Sequence, residues 1–479
     1  MKNKLNEAFD NIADEYIEKS AKPPKKSGFL KYSLVAAALA LLVVSVTLVA
    51  TMSRSPSETG ENGTVDVTDS TTEPGKSGGI DGQSDGKEPG KGSTYGSLAK
   101  TPEASFLGHE DYGTVGGAGG SAGRLAPFFD LFYQKTLDGN GNSVVSPVNV
   151  YTLLCMLAEC SEGSSREQIL YALGAADISD LRKEAESVVS SVYHDNGKGK
   201  AVIGNSVWLS NRLPVNQSCV DTLNSKYYAS VFEGSFADPL YKGEMKSWLS
   251  KQTGGLLDDK ISDLDIPDDT AAALLSTLHF KAKWSHSFTL SHDGYFNGAN
   301  GKTRVKYYTK VLSTVLLHED GFTSYRETMS DGSRMWFFLP DEDKTVSDVL
   351  ASNLVSYVTE KAGAGAPHDV TLNMPVFEVS CDANLICALG GLGITDFANE
   401  NANFAPLTDE FMTVDRIQHA ARVKVDYFGV EGAAYVSGLL TADDPWSPDS
   451  YEITLDRPFV FLIEYHGIPL FVGTVNNLR

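Results

Sequence analysis

Hydrophobic pattern divides the chain into four stretches. Residues 1–31 are polar, and their one amphipathic run, Ala8 to Ser20, predicts a short helix. Tyr32 to Met52 carries no charge. At ~1.5 Å per residue, a helix of that length reaches the ~30 Å of a bilayer core. Residues 53–120 are Gly, Ser, Thr, Asp and Glu with almost no large apolar side chains, too little to bury for a fold, and read as a tether. Patterning typical of a folded domain resumes and occupies 121–479.

Within that domain Phe128, Leu131 and Phe132 share one helical face. The dipeptide Ser146-Pro147 precedes a second apolar helix, VYTLLCMLAEC. Strand-like blocks follow without a βαβ rhythm, which predicts α+β architecture with antiparallel or mixed sheets. His419 to Val425 alternates like a strand, with β-branched Val423 and Val425. Beyond it the residues turn small. Read as a strand, Val430, Gly432, Ala434, Val436 and Gly438 share one uncharged face, and Glu431, Tyr435 and Ser437 the other. Such a stretch is able to enter an existing sheet, although a Gly/Ala-rich surface loop fits the same residues. TADDPWSPDS, which follows, is loop chemistry.

Charge settles two further points. Lys plus Arg total 40 against 62 Asp plus Glu, a net −22, which argues against a nucleic-acid partner. Lys22, Lys25, Lys26 and Lys31 precede the apolar run and only Arg54 closely follows it. The positive-inside bias therefore predicts a single-pass anchor in the lipid bilayer, N-terminus cytoplasmic and the folded domain extracellular, with a cleaved signal peptide as the competing reading. Five cysteines lack zinc-type spacing; Cys155, Cys381 and Cys387 read as buried thiols, and no disulfide framework is expected. Nine histidines form no HExxH pair, and there is no GxSxG elbow. Neither an enzyme nor a metal or other cofactor is expected.

Five blocks then stand in order: the stretch Asn142 to Ile169, GNSVWL (204–209), HFKAKW (279–284), FFLPDE (337–342) and RPFVFLIEYHGIPLFVGTVNN (457–477). Together they resemble the serpins, from about Ser121 to Arg479. The resemblance implies three β-sheets, a shell of about eight or nine helices and an exposed reactive loop near the C-terminus. It implies a monomer that acts as a suicide substrate: a serine protease, or a cysteine protease, attacks the loop, and the freed hinge inserts into the central sheet while the acyl-enzyme is trapped. Non-inhibitory serpin-fold binding module and transmembrane sensor are the alternatives.

Matched residue by residue, the resemblance assigns the hinge to Gly429, Val430, Glu431, Gly432, Ala433 and Ala434. Tyr427 and Phe428 replace the acidic pair usual before the hinge glycine. Ser146, Asn149, Ser276 and His419 fall in the cluster where the sheet parts, and Trp284 at the mouth of the opening. The family's serine and asparagine are exchanged at 149 and 276, and a compensated hydrogen-bond pair between Asn149 and Ser276 is expected. Counting from Gly429 places the attacked residue at Asp443, after Ala442, with Leu440 nearby; counting back from Pro458 lands nearer Ser447. No Lys or Arg lies between Lys424 and Arg457, so subtilisin-, elastase- or chymotrypsin-like targets are expected rather than trypsin-like ones.

Overall fold

The computed structural model describes residues 120–430 and 451–478. The expectations for the N-terminal segment, the apolar run and the tether up to residue 119 lie outside them. So do Glu431, Gly432, Ala433, Ala434, Leu440, Ala442 and Asp443. Among the described residues no helix is long and apolar enough to cross a membrane.

The described helices are α1 (Ser121–Thr136), α2 (Pro147–Cys160), α3 (Gly163–Leu173), α4 (Ile178–Val192), α5 (Gln217–Tyr227), α6 (Pro239–Gln252), α7 (Asp258–Ser262), α8 (Val346–Leu350), α9 (Leu354–Lys361) and α10 (Ile386–Gly390). Ten helices are thus described, against the eight or nine that the resemblance implies; three of them, α7, α8 and α10, are single turns of five residues, too short for a periodic signal. The strands are β1 (Ser143–Val145), β2 (His194–Asp195), β3 (Gly199–Ser210), β4 (Ala229–Gly234), β5 (Ala272–Lys283), β6 (Leu290–Gly298), β7 (Gly301–Glu319) and β8 (Phe322–Thr328). They continue with β9 (Arg334–Pro340), β10 (Pro367–Pro375), β11 (Phe377–Asn384), β12 (Gln418–Val425), β13 (Gly429–Val430), β14 (Tyr451–Thr454), β15 (Phe459–Tyr465) and β16 (Ile468–Val475).

One sheet runs β11-β12-β13-β5-β3-β2, with β4 parallel on β3. A second path of strands runs β1-β16-β15-β9-β8-β7-β10-β14, with β6 on β7. The 19-residue β7 divides that path in two. Its residues up to Val315 pair with β10 and β6, and Leu316 to Glu319 pair with β8. Three sheet layers result.

The core forms where α2 backs β5 and β16. Pro147 takes the first helical position, where its missing N–H costs nothing, and all of α2 but Leu153 is buried. Apolar side chains lie on every side of this helix, with Asn149, Thr152 and Glu159 among them, so it needs cover all round and lies inside. α1 brings Phe128, Phe129 and Phe132 against it, and Phe129 meets Tyr151 edge-on at 6.1 Å. Of the cysteines expected to be buried, Cys155 is, Cys381 is half-buried and Cys387 is exposed. Leu389 takes the inward position of the short α10, which leaves Cys387 on the other face.

Candidate functional site: an opening in the seven-stranded sheet

β5 and β12 are neighbours only through two residues. Gly429 pairs with Lys283, and Val430 pairs with Ala282 on one side and Val425 on the other, antiparallel to both strands. A tight turn puts them there. Asp426 Oδ1 accepts from the N–H groups of Phe428 (2.8 Å) and Gly429 (3.1 Å), and the Asp426 N–H donates to the Gly429 carbonyl (2.9 Å). The chain leaving β12 thus reverses and heads back down between β12 and β5. Only glycine fits at 429: a Cβ there would lie 2.1 Å from the Ala282 carbonyl oxygen and 2.8 Å from Lys283 Cα. Val430 is 3% exposed, its side chain turned into the core.

Trp284 holds the turn twice. Its backbone N–H donates to the Phe428 carbonyl (2.9 Å) and its indole N–H to the Asp426 carbonyl (2.8 Å). Behind the indole, Lys310 Nζ lies 5.3 Å from the ring and 2.5 Å from Glu327 Oε2, and both partners are buried. Burial pushes the Lys310 ammonium down and the Glu327 carboxyl up from their ordinary values. Tyr427 stacks on Tyr308 of β7, with ring centres 4.6 Å apart and planes 12° from parallel. The position usually acidic therefore makes an uncharged ring contact.

Below Val425 and Ala282 no ladder joins β12 to β5 among the described residues. A cavity of about 180 Å³ lies between them, with Ser146, Asn149, Ser276 and His419 all on its wall. A second cavity of about 420 Å³ continues along the same strands. Both share Leu274 and Leu275 on β5 and Arg416 to Gln418 beside or on β12, so they form one trench. Its lower part mixes an apolar wall of Leu157, Ile266, Phe404, Leu407, Met412 and Val414 with Asp265, Asp269, Asp415 and Arg416.

The predicted cluster meets at the trench, with different partners. His419 Nε2 accepts from the Ser146 backbone N–H at 3.1 Å, so the ring proton sits on Nδ1. Burial holds this imidazole down at about 4, against a small opposing pull from Asp382. Ser276 does not pair with Asn149. Its hydroxyl lies 3.2 Å from Thr152 Oγ1, which itself donates to the Val148 carbonyl at 2.7 Å. Asn149 Oδ1 and Ser146 Oγ are buried without a partner among the described residues. The expected amide–hydroxyl pair is thus corrected: Thr152, three residues on from Asn149 and on the same helix face, takes the serine. That spacing was the available signal for Thr152.

The geometry can now be set beside known proteins. Residues 128–478 match the family model described as Serpin (serine protease inhibitor). The chain belongs to the serpin family. Serpin-ZX of Arabidopsis thaliana is 25% identical over 364 residues, 71% of this chain and 93% of the relative. Alpha-1-antiproteinase of Rattus norvegicus is 26% identical over 371 residues, 73% and 87% of the two chains. Among solved structures, the thermophilic serpin Tengpin in its native state superposes with TM-score 0.68 at 22% identity, covering 74% of this chain and 94% of its own. Human thyroxine-binding globulin complexed with thyroxine gives 0.66 at 23% identity, covering 74% and 98%. The α+β serpin fold follows, and with it a protein that is not an enzyme.

Proposed function

We propose that this serpin traps an extracellular serine protease by loop cleavage and insertion between β5 and β12. The observation that carries the reading is the hairpin at Asp426, which already directs Val430 down between the two strands. Continuing that register sets Gly432 between Phe280 and Val423, Ala434 between Leu278 and Ala421, and Val436 between Ser276 and His419. All these neighbours but Ser276 are buried, and the incoming side chains are small or apolar. Glu431, on the outward parity, falls between Lys281 and Lys424. The β5 ladder ends at Ala272, opposite Leu440. Cleavage after Ala442 or Asp443 leaves a strand that fills the trench with about two or three residues over, a closer match in length than a cut near Ser447 would leave. Backbone pairing and apolar burial withheld until the cut supply the driving force. A protease dragged along loses the alignment of its oxyanion hole, and deacylation stalls.

The small and apolar loop residues support a subtilisin-, elastase- or chymotrypsin-like target. The uncharged run Tyr32 to Met52 supports a bilayer tether that displays the inhibitor outside the cell. The test is to incubate the full chain, in detergent micelles, with a protease panel including trypsin. An SDS-stable adduct, release of a C-terminal fragment beginning at Asp443 or Asp444, and no reaction with trypsin are expected. Cleavage without any adduct overturns the proposal in favour of a binding module, the role that thyroxine-binding globulin's bound thyroxine illustrates for that relative.

A further inference from the structure

The trench has a cover. The connection from α6 to α7, Thr253 to Leu257, lies across its upper part, with Thr253, Leu256 and Leu257 on the cavity wall. On the β5 side its backbone rests on His279: Gly254 has φ +63°, and a Cβ there would lie 2.5 Å from the imidazole Cε1. On the β12 side it is held by Arg422. One guanidinium nitrogen donates to the Leu256 carbonyl at 2.9 Å and the other to Asp259 Oδ2 at 2.7 Å. Glu378 on β11 lies 3.6 Å from Nε, which is buried and makes no hydrogen bond among the described residues. Arg422 is therefore a fork rooted on one wall of the trench and closed on the strap that roofs it.

We propose that Arg422 is the latch that sets the rate at which the trench admits a new strand. The proposal rests on the insertion reading given above. A strand placed between β5 and β12 sends every second side chain outward, at the level of His279 with Arg422 and of Thr277 with Ala420. The strap occupies that outward side at the first of these levels. It must lift, and both guanidinium hydrogen bonds must break before the lower rungs form. Charge-assisted bonds are about twice as strong as neutral ones, so the latch contributes to the barrier rather than to the inserted product. Arg422 acts through the strap and is a positioning residue.

The experiment uses the full chain in detergent and a fluorescent synthetic peptide with the sequence of residues 431–440, with annealing followed by anisotropy. Arg422→Ala and Asp259→Ala are each expected to take up the peptide about tenfold faster than the unaltered chain. Arg422→Lys, which keeps the charge and loses the fork, is expected to fall between. The double variant Arg422→Ala with Asp259→Ala is expected to be little faster than Arg422→Ala alone, the non-additivity that one shared latch requires and two independent folding defects would not produce. If the unaltered chain anneals the peptide and the alanine variants match its rate, the latch is wrong and insertion stands. If no chain takes up peptide and the nicked protein melts no higher than the intact one, insertion itself fails and takes the latch with it.

Discussion

Replacing Gly429 by alanine tests the hinge at its tightest point. The added Cβ would meet the Ala282 carbonyl oxygen at 2.1 Å, and both atoms belong to backbone that cannot rotate away. Tolerable C···O contacts begin near ~3.3 Å, so the two chains must part by more than about 1 Å. That shift breaks the pairing of Gly429 and Val430 with Lys283 and Ala282, and draws the buried Val430 side chain out of the core. Losing Val430 burial costs about 1.5–3 kcal/mol, and each ladder hydrogen bond about 1 kcal/mol. A bias of about 3–4 kcal/mol against the seated hinge follows. Hydrogen exchange at Val430 and Ala282 reads it directly, and exchange faster by about two to three orders of magnitude is expected in the alanine variant. With a protease that forms adduct with the unaltered chain, the variant should be turned over mainly as a substrate, because the same clash persists at the first rung of the inserted strand. Unchanged exchange together with an unchanged adduct yield would show that Gly429 is not confined as described.

Trp284→Phe removes the donor to the Asp426 carbonyl; a loss of about 1–2 kcal/mol is expected, with faster exchange confined to residues 426–430. His419 is held neutral in the fold at about 4 against an ordinary 6.5, so the unfolded chain binds the extra proton first as pH falls. Its contribution is complete above about pH 6.5 and is lost progressively down to about pH 4, some 3 kcal/mol in all. Denaturant titrations should show that part of the acid slope missing from His419→Gln. Breaking the Lys310–Glu327 pair from one side, as in Lys310→Met, strands a buried carboxylate and should cost about 3–5 kcal/mol, whereas Lys310→Met with Glu327→Leu should recover most of it. A double variant as unstable as the single one would refute the stranded-charge account.

How much of this was legible before the fold was known depends on the range of each signal. The alternation from His419 to Val425 identified β12 because a half-buried strand writes its period into adjacent residues. The family resemblance, matched residue by residue, grouped Ser146, Asn149, Ser276 and His419, which do line one cavity although they come from separate elements. What failed was partnership. Asn149 and Ser276 seemed complementary by type, yet Thr152 reaches the serine from the next turn of the same helix. The ring facing Tyr427 belongs to β7, and no local pattern pairs strands that far apart in the chain. Arg422 reads as one more outward polar residue, and one of its two acceptors, the Leu256 carbonyl, leaves no side-chain trace at all.

The contact between Tyr427 and Tyr308 sets the conditions under which this gate can operate. The two rings are neutral, and the ammonium beside them, on Lys306, lies 5.8 Å from the Tyr308 ring centre, so their stacking depends little on salt. The fork on the strap, with the half-exposed Asp259 as partner, is weakened by added electrolyte. Salinity therefore acts more on the roof of the trench than on its mouth, and on the proposed insertion a rise in salt should speed strand entry without loosening the hinge beforehand.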